Sequence, residues 1–371
     1  MIFLACIPVA IWTYLLFGRG GFWRVSKHLP PKQLARANDK RVIALIPARN
    51  EANSVAQTVA SLQNQELTPA RIIVVDDNST DNTAEIARRA GAEVIEGSPL
   101  PAGWTGKLWA LSQGVATAEK LDPDYFLFTD ADILHEPQSI RQLVAIAERG
   151  GYDLASFMVK LSSSTLPEKA LIPAFVFFFL MLYPPGRSAG AAGGCLLTRP
   201  SALRRIGGLE AIRDEVIDDC ALAHAIQKTG GRVWLGLTSR AYSTRTYRSF
   251  GEVGHMISRT AFNQLRHSTL LLVTAVAGVF AIFVLPPLLL VARRTPVKVV
   301  GSAGWLLMSG AYAPIVRFYR LSPLWRFSLP AVALFYLGAT LHSAVQYWAG
   351  KGGAWKGRAQ DVPMRDRLQL D

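Results

Sequence analysis

Residues 125–133 read YFLFTDADI, four apolar residues followed at once by a threonine and two aspartates spaced two apart. Two similar stretches lie upstream, VIALIPARNE at 42–51 and IIVVDDNST at 72–80. Each begins as a short, unbroken apolar run, the pattern of a strand covered on both faces in a parallel sheet. Each then stops abruptly in polar residues. In open α/β sheets ligands gather beyond the carboxyl ends of the strands, so three polar clusters at that edge are expected to face one site. Helical patterns follow the first two runs, with Asn53 or Ser54 and Ser79 or Thr80 expected as their caps.

On an extended strand, Asp130 and Asp132 would point to one side. Two oxygen donors so placed suit a hard cation, Mg2+ or Mn2+, whose remaining positions go to phosphate and water. No G-x-G-x-x-G follows the first run and no G-x-x-x-x-G-K-[ST] occurs, which disfavours dinucleotide oxidoreductases and P-loop nucleotidases. Further on, Asp218 and Asp219 open a helical pattern, CALAHAIQK at 220–228, closed by Gly230 and Gly231. Asp218 is expected to cap that helix, a contact worth about 1 kcal/mol.

The 371 residues carry a net charge of +13 and are 50% hydrophobic, unevenly spread. Apolar residues pile up at 1–17 and again across 268–348, around a middle of ordinary globular composition. That asymmetry describes a catalytic body carried on membrane segments. The excess of Lys and Arg fits membrane flanks and polyphosphate neutralisation; no nucleic-acid motif accompanies it, and no nucleic-acid partner is expected. Cys6, Cys195 and Cys220 have neither metal spacing nor the pattern of a disulfide framework.

The first run is followed, not preceded, by Arg19, Arg24 and Lys27, so it reads as an uncleaved anchor with a cytoplasmic basic flank. Three candidate spans follow at 268–292, 298–316 and 327–348, the first predicted to kink or re-enter at Pro286 and Pro287. Three full crossings would leave Lys351, Lys356 and Arg358 outside, against the charge rule, so one segment is expected not to cross. Residues 171–185, LIPAFVFFFLMLYPP, are too short and proline-broken to span. They form either a buried core helix or an interfacial helix that brings a lipid to the site.

Six stretches taken together resemble the family 2 glycosyltransferases with the GT-A fold, over residues 40–266. They are IPARNE at 46–51, VVDDNSTDNT at 74–83, GWTGKLWALSQG at 103–114, TDADI at 129–133, GGCLLTRPSALRRIGGL at 193–209 and VIDDCALAHAIQKTG at 216–230. Within that family the chain is most similar to the hopanoid-biosynthesis-associated membrane glycosyltransferases. The resemblance implies an α/β fold, a mostly parallel sheet with flanking helices, joined to transmembrane helices. The domains would be an anchor at 1–18, a catalytic domain at 40–266, a bundle of two or three spans at 268–348 and a basic tail at 349–371.

The resemblance also implies roles. Pro47, Ala48, Arg49, Asn50 and Glu51 would line the nucleotide pocket, and Asp77 would accept from an imide N–H of the base. Lys107 would reach the donor phosphates, Asp130 would sit near the ribose or the metal, and Asp132 would ligate Mg2+ or Mn2+. Asp219 would be the general base, beside the capping Asp218, weakened in its basicity by the helix N-terminus. Arg259 lies in a basic run (Arg240, Arg245, Arg248, Arg259, Arg266) and would stabilise the leaving diphosphate. Of the family's Q-x-x-R-W motif, which would fall at 256–260, only Arg259 matches, which argues against a processive polymerase.

The expected activity is therefore inverting transfer from a nucleotide-diphosphate sugar, UDP-linked, to a membrane lipid such as a hopanoid. The site would lie at the cytoplasmic face of the inner membrane. A processive polysaccharide synthase and an inactive nucleotide-sugar-binding membrane protein remain the alternatives.

Overall fold

The computed structural model describes residues 2–24 and 39–352. Lys27, Lys356, Arg358 and most of the basic tail lie outside them. The chain opens with α1 (Ile2–Thr13), then β1 (Val42–Ala48), α2 (Val55–Gln63), β2 (Arg71–Asp76), α3 (Thr83–Arg89), β3 (Glu93–Glu96) and α4 (Gly106–Ala118). It continues through β4 (Tyr125–Thr129), β5 (Ile133–His135), α5 (Ser139–Gly150), β6 (Leu154–Lys160), α6 (Leu166–Leu182), β7 (Cys195–Thr198) and α7 (Pro200–Arg205). Next come α8 (Asp218–Lys228), β8 (Val233–Ser243), α9 (Phe250–Gln264), α10 (Thr269–Val279), α11 (Leu285–Leu288), α12 (Thr295–Phe318) and α13 (Leu329–Trp348).

Two compact units result. One comprises Ser26–Ser162 and Ser188–Arg245, the other Met1–Val25, Ser163–Arg187 and Thr246–Asp371. The first holds one sheet in the order β3-β2-β1-β4-β7-β6-β8-β5. The three apolar runs form its parallel centre: β1 pairs with β2 on one side and β4 on the other. Alternate residues of β1 explain why its run is continuous. Val42, Ala44 and Ile46 enter the core beneath α2 and α5, whereas Ile43 and Leu45 enter the core beneath α4 and α8. Both faces are covered, and each buried aliphatic side chain contributes roughly 1.5–3 kcal/mol. Antiparallel pairing brings in β7 against β4 and β6, and β8 against β5, so the sheet is mixed.

The strand ends correct two expected caps. Ser54 does stand at the N-cap of α2, but its hydroxyl donates to Glu51 and caps nothing. Helix α3 starts later than read, with Asn82 at its N-cap. Ser79 and Thr80 instead zip two loops together. Asn50 N donates to Ser79 Oγ (3.0 Å) and Thr80 N to Asn50 Oδ1 (2.8 Å). Asn50 and Asn78 adopt the left-handed conformation that asparagine tolerates (φ 53° and 52°), which turns each chain off its strand.

The second unit is helical, and α6 and α9 belong to it, so the domain boundary read at 266 falls inside it. Helix α6 begins with a capping box between Thr165 and Glu168. Glu168 is fully buried; its carboxylate accepts from Ser164 N (2.8 Å) and Tyr247 N (2.6 Å), fixing both strands of chain that enter the unit. Phe177 is likewise fully buried, packed on Phe22 (ring centroids 5.4 Å), Tyr312 (5.2 Å) and Trp12 (6.5 Å). Of residues 171–182, Leu171 to Ala174, Val176, Phe177 and Leu180 are buried in this unit, whereas Leu182 is exposed.

Among the described residues, three helical stretches are long and apolar enough to cross a membrane: Thr269–Val291, Thr295–Phe318 and Leu329–Trp348. Around Pro286 and Pro287 the first passes through a π-helical turn (Phe280–Val284), α11 and a 3-10 turn, as the prolines predict. Helix α12 packs antiparallel to it: a Cβ on Gly301 would lie 2.8 Å from Pro286 O, and one on Gly304 3.6 Å from Pro286 Cβ. At Arg320 (φ 55°) the chain reverses, and Phe327 returns to Trp305, at 5.9 Å between ring centroids. Helix α13 then runs beside α9 in the same direction, with contacts Phe250–Phe335, His255–His342 and Phe262–Tyr347. His267, just before α10, stacks on Tyr347 at 4.0 Å. The end of α13 therefore lies where α10 begins.

Candidate active site

The site is built at the carboxyl ends of β1 and β4. Pro47, Lys107, Thr129, Asp130, Gly193, Asp218 and Asp219 line one pocket of the sheet unit. Four of these were singled out as functional from sequence, plus Asp218, and the fold brings them together from β1, α4, the β4–β5 turn and α8.

Asp130 and Asp132 do not lie along an extended strand. Strand β4 stops at Thr129, and Ile133 N donates to Asp130 O (3.2 Å), closing a turn before β5. The turn, rather than strand alternation, sets the two carboxylates close enough to repel. Burial, then Asp130 and Glu51, hold the Asp132 carboxyl above its usual range against the pull of Arg245 and Ser243. Ser243 Oγ donates to Asp132 Oδ2 (3.1 Å), and Arg245 spans Asp132 (3.5 Å) and Glu51 (3.4 Å).

Lys107, in the first turn of α4, sits between both acidic motifs, 3.0 Å from Asp130 Oδ1 and 3.3 Å from Asp218 Oδ2. Burial opposes its charge, but Asp130, Asp218 and Asp219 outweigh that and raise its affinity for a proton.

The expected cap at Asp218 is corrected. Ile217 holds the N-cap of α8, with no side-chain cap, and Asp218 is the first helical residue, drawn to Lys107. Asp219 is the acid bound to backbone: Gly193 N donates to its Oδ2 and Cys220 N to its Oδ1, both at 2.7 Å. Burial first, then Asp218, pushes its carboxyl up to about 6, against Lys107 and those two N–H groups. An aspartate poised there is a competent proton acceptor near neutral pH. Gly193 is needed for the close approach, because a Cβ there would lie 2.8 Å from Lys107 Nζ.

The remaining expected residues divide. Asp77 is buried, and Arg49 donates to its backbone oxygen while standing 3.8 Å from its carboxylate. Ala48 is core, its carbonyl accepting from Asp77 N (2.8 Å). Arg259 lies on α9, in the helical unit. Sequence reasoning missed Ser243 and the partnership of Arg245, and it passed over Asp76, whose buried Oδ1 has no hydrogen-bond partner. No group of three or more His, Cys, Asp or Glu side chains among the described residues is arranged to hold an ion. Asp130 and Asp132 fit the other arrangement, in which a hard cation takes one or two carboxylates from the protein and phosphate oxygens from a nucleotide.

Residues 43–207 match the family described as glycosyl transferase family 2. That stretch is therefore similar to the family 2 glycosyltransferases. A 4,4'-diaponeurosporenoate glycosyltransferase of Staphylococcus aureus is 38% identical over 97 residues, covering 26% of this chain and 25% of that protein. An uncharacterized protein of Methanocaldococcus jannaschii is 32% identical over 123 residues, 33% of this chain and 48% of that one. The chain thus spans about half the length of one curated relative and a quarter of the other. A mannosyltransferase from Pyrobaculum calidifontis, solved with GDP-Man and Mn2+, has the same fold. Its TM-score is 0.53 at 17% identity, covering 92% of this chain and 99% of that one.

Proposed function

We propose that this family 2 domain transfers a single sugar from a nucleotide-diphosphate donor, such as a UDP-sugar, to a membrane-lipid acceptor with inversion at the anomeric carbon. The observation that carries the reading is Lys107 held between Asp130 and Asp218 in one pocket with Asp219. Asp219 takes the proton of the acceptor hydroxyl while that oxygen bonds to the anomeric carbon and the bond to the diphosphate breaks. Lys107 leaves the aspartates to meet the departing diphosphate. Asp130 and Asp132 would hold Mg2+ or Mn2+, which supplies positive charge for the diphosphate. Asp77, with Arg49 beside it, is assigned to the nucleobase.

A lipid acceptor is supported by the three apolar helices and by the relative named for 4,4'-diaponeurosporenoate. The hopanoid assignment rests on the sequence resemblance alone. We place α10–α11 and α12 across the inner membrane and read 319–348 as re-entrant. Lys351 then lies at the face where α10 begins, with the basic flank of the anchor on the cytoplasmic side.

Membranes carrying the protein, supplied in turn with labelled UDP-, GDP- and dTDP-sugars, test the reading by mass spectrometry of extracted lipid. One donor should yield a lipid carrying one added sugar, abolished by chelation and by Asp219→Asn. A polymeric product would establish the processive alternative. Donor binding with neither transfer nor hydrolysis would establish the inactive one.

A further inference from the structure

Asp132 is held almost entirely by one short segment. The β5–β8 register sets Ile133 opposite Ser243, and the next residues wrap the β4–β5 turn. Thr244 donates through N (2.9 Å) and Oγ1 (3.1 Å) to Asp132 O, while Ser243 Oγ donates to Asp132 Oδ2 and accepts from Arg245 N (3.1 Å). The backbone of Arg245 is thereby fixed beside the acidic turn. Its guanidinium lies between two carboxylates that are mostly shielded, Asp132 (16% exposed) and Glu51 (17%), yet is itself 41% exposed. A planar fork can serve two carboxylates at once, and it also suits phosphate oxygens. Contacts of 3.4 and 3.5 Å are long for charge-assisted hydrogen bonds, so the guanidinium can be exchanged. With Lys107 on Asp130, each aspartate of the pair already has a protein cation.

We propose that Arg245 is a counter-cation that competes with the divalent ion for Asp132 and passes to the donor's diphosphate as the ion arrives. This rests on the reading of Asp130 and Asp132 as metal ligands. An ion arriving alone must displace the guanidinium and leave it without those carboxylates. An ion arriving with a diphosphate offers it a new partner. Ion and diphosphate therefore bind cooperatively, each raising the affinity of the other by one factor.

The test is Mn2+ titration of the full-length protein in nanodiscs, followed by the EPR signal of free Mn2+, with and without GDP or UDP. Wild type should bind Mn2+ alone weakly and about tenfold or more tightly with one of the diphosphates, within the usual range of coupling between sites. Arg245→Met should bind Mn2+ alone about tenfold more tightly than wild type and lose most of the diphosphate effect. Arg245→Lys, whose point charge cannot serve both carboxylates, should fall between and decides the matter if the Met variant fails to fold. Variants that bind Mn2+ alone no better than wild type overturn the proposal. Asp132→Asn is the separate control: unchanged Mn2+ binding there removes the metal reading itself.

Discussion

Neutralising Asp218 and Lys107 one at a time should shift the acid limb of the pH–rate profile in opposite directions. The Asp219 carboxyl is pushed from the ordinary 3.8 to about 6 by burial and by Asp218, and Lys107 pulls it back. As a base it must be ionised, so kcat/KM should rise with pH through an apparent pKa near 6. Asp218→Asn removes a like charge and should move that limb down; Lys107→Met removes an opposite charge and should move it up. Lys107 Nζ and Asp219 Oδ2 lie 2.8 and 3.4 Å from the position of a Gly193 Cβ, which bounds their separation. At roughly 6 Å and an effective dielectric of about 20, a charge pair is worth about 3 kcal/mol. Solvent screening at an open pocket reduces the shift to about one pH unit. Stability follows the same group. A carboxyl with a raised folded-state pKa contributes stability that is complete below 3.8 and lost as pH rises through about 6. Thermal melts in nanodiscs at pH 4.5 and 7.5 should show a larger loss for wild type than for Asp219→Asn. An acid limb at one pH in wild type and both neighbour variants would refute the assignment of Asp219.

Gly193→Ala should fold, because the clashing atom is the mobile end of Lys107, yet should lower kcat/KM by about tenfold or more by displacing a group that meets transition-state charge; wild-type kinetics would contradict the packing at that point. Phe177→Ala should destabilise the helical unit by about 3–5 kcal/mol, the cost of a large buried ring, measured as a fall in melting temperature. A single cysteine at Lys351 should be labelled from the same side of a proteoliposome as one at Arg320, and from the side opposite one at Arg293.

Much of the sheet was legible because a strand buried on both faces has no polar alternation to obscure it. The runs at 42–46, 72–75 and 125–128 became β1, β2 and β4; residues at the ends of β1 and β4 line one pocket, and those after β2 bond to the loop after β1. The antiparallel strands were not read, since β7 and β8 owe their places to pairings with residues far away in sequence. The partnership of Arg245 was lost for the same reason. It exists only because Ser243 comes into register with Ile133. The capping box was a different kind of miss. Thr165 and Glu168 carry the S/T-x-x-E signature directly before an apolar run, so a local signal was present. Asp218 shows the limit of such local rules. A charged neighbour, Lys107, pulled its side chain away from the helix end it would have capped.

The apolar segments raise a problem of parity that hydropathy cannot solve, since it registers length and composition but not direction. Three runs of adequate length suggest three crossings, which would strand the basic residues after 348 on the wrong side. The direction of α13 supports the re-entrant reading proposed above, which would remove the conflict. Arg320 takes up a left-handed conformation, Leu321 N bonds back to Val316 O (3.1 Å), and the chain retreats along the helix it has just left. From Phe327, level with Trp305, α13 climbs alongside α9 until Tyr347 meets Phe262 and His267. That course fits the proposed re-entrant reading of 319–348, because α13 ends beside the start of α10. Backbone polar groups at such a turn need partners in place of lipid, and Ser322 supplies one by accepting from Leu324 N (3.4 Å). In the topology proposed above, where two of the three runs cross, the charge rule and the three apolar runs agree.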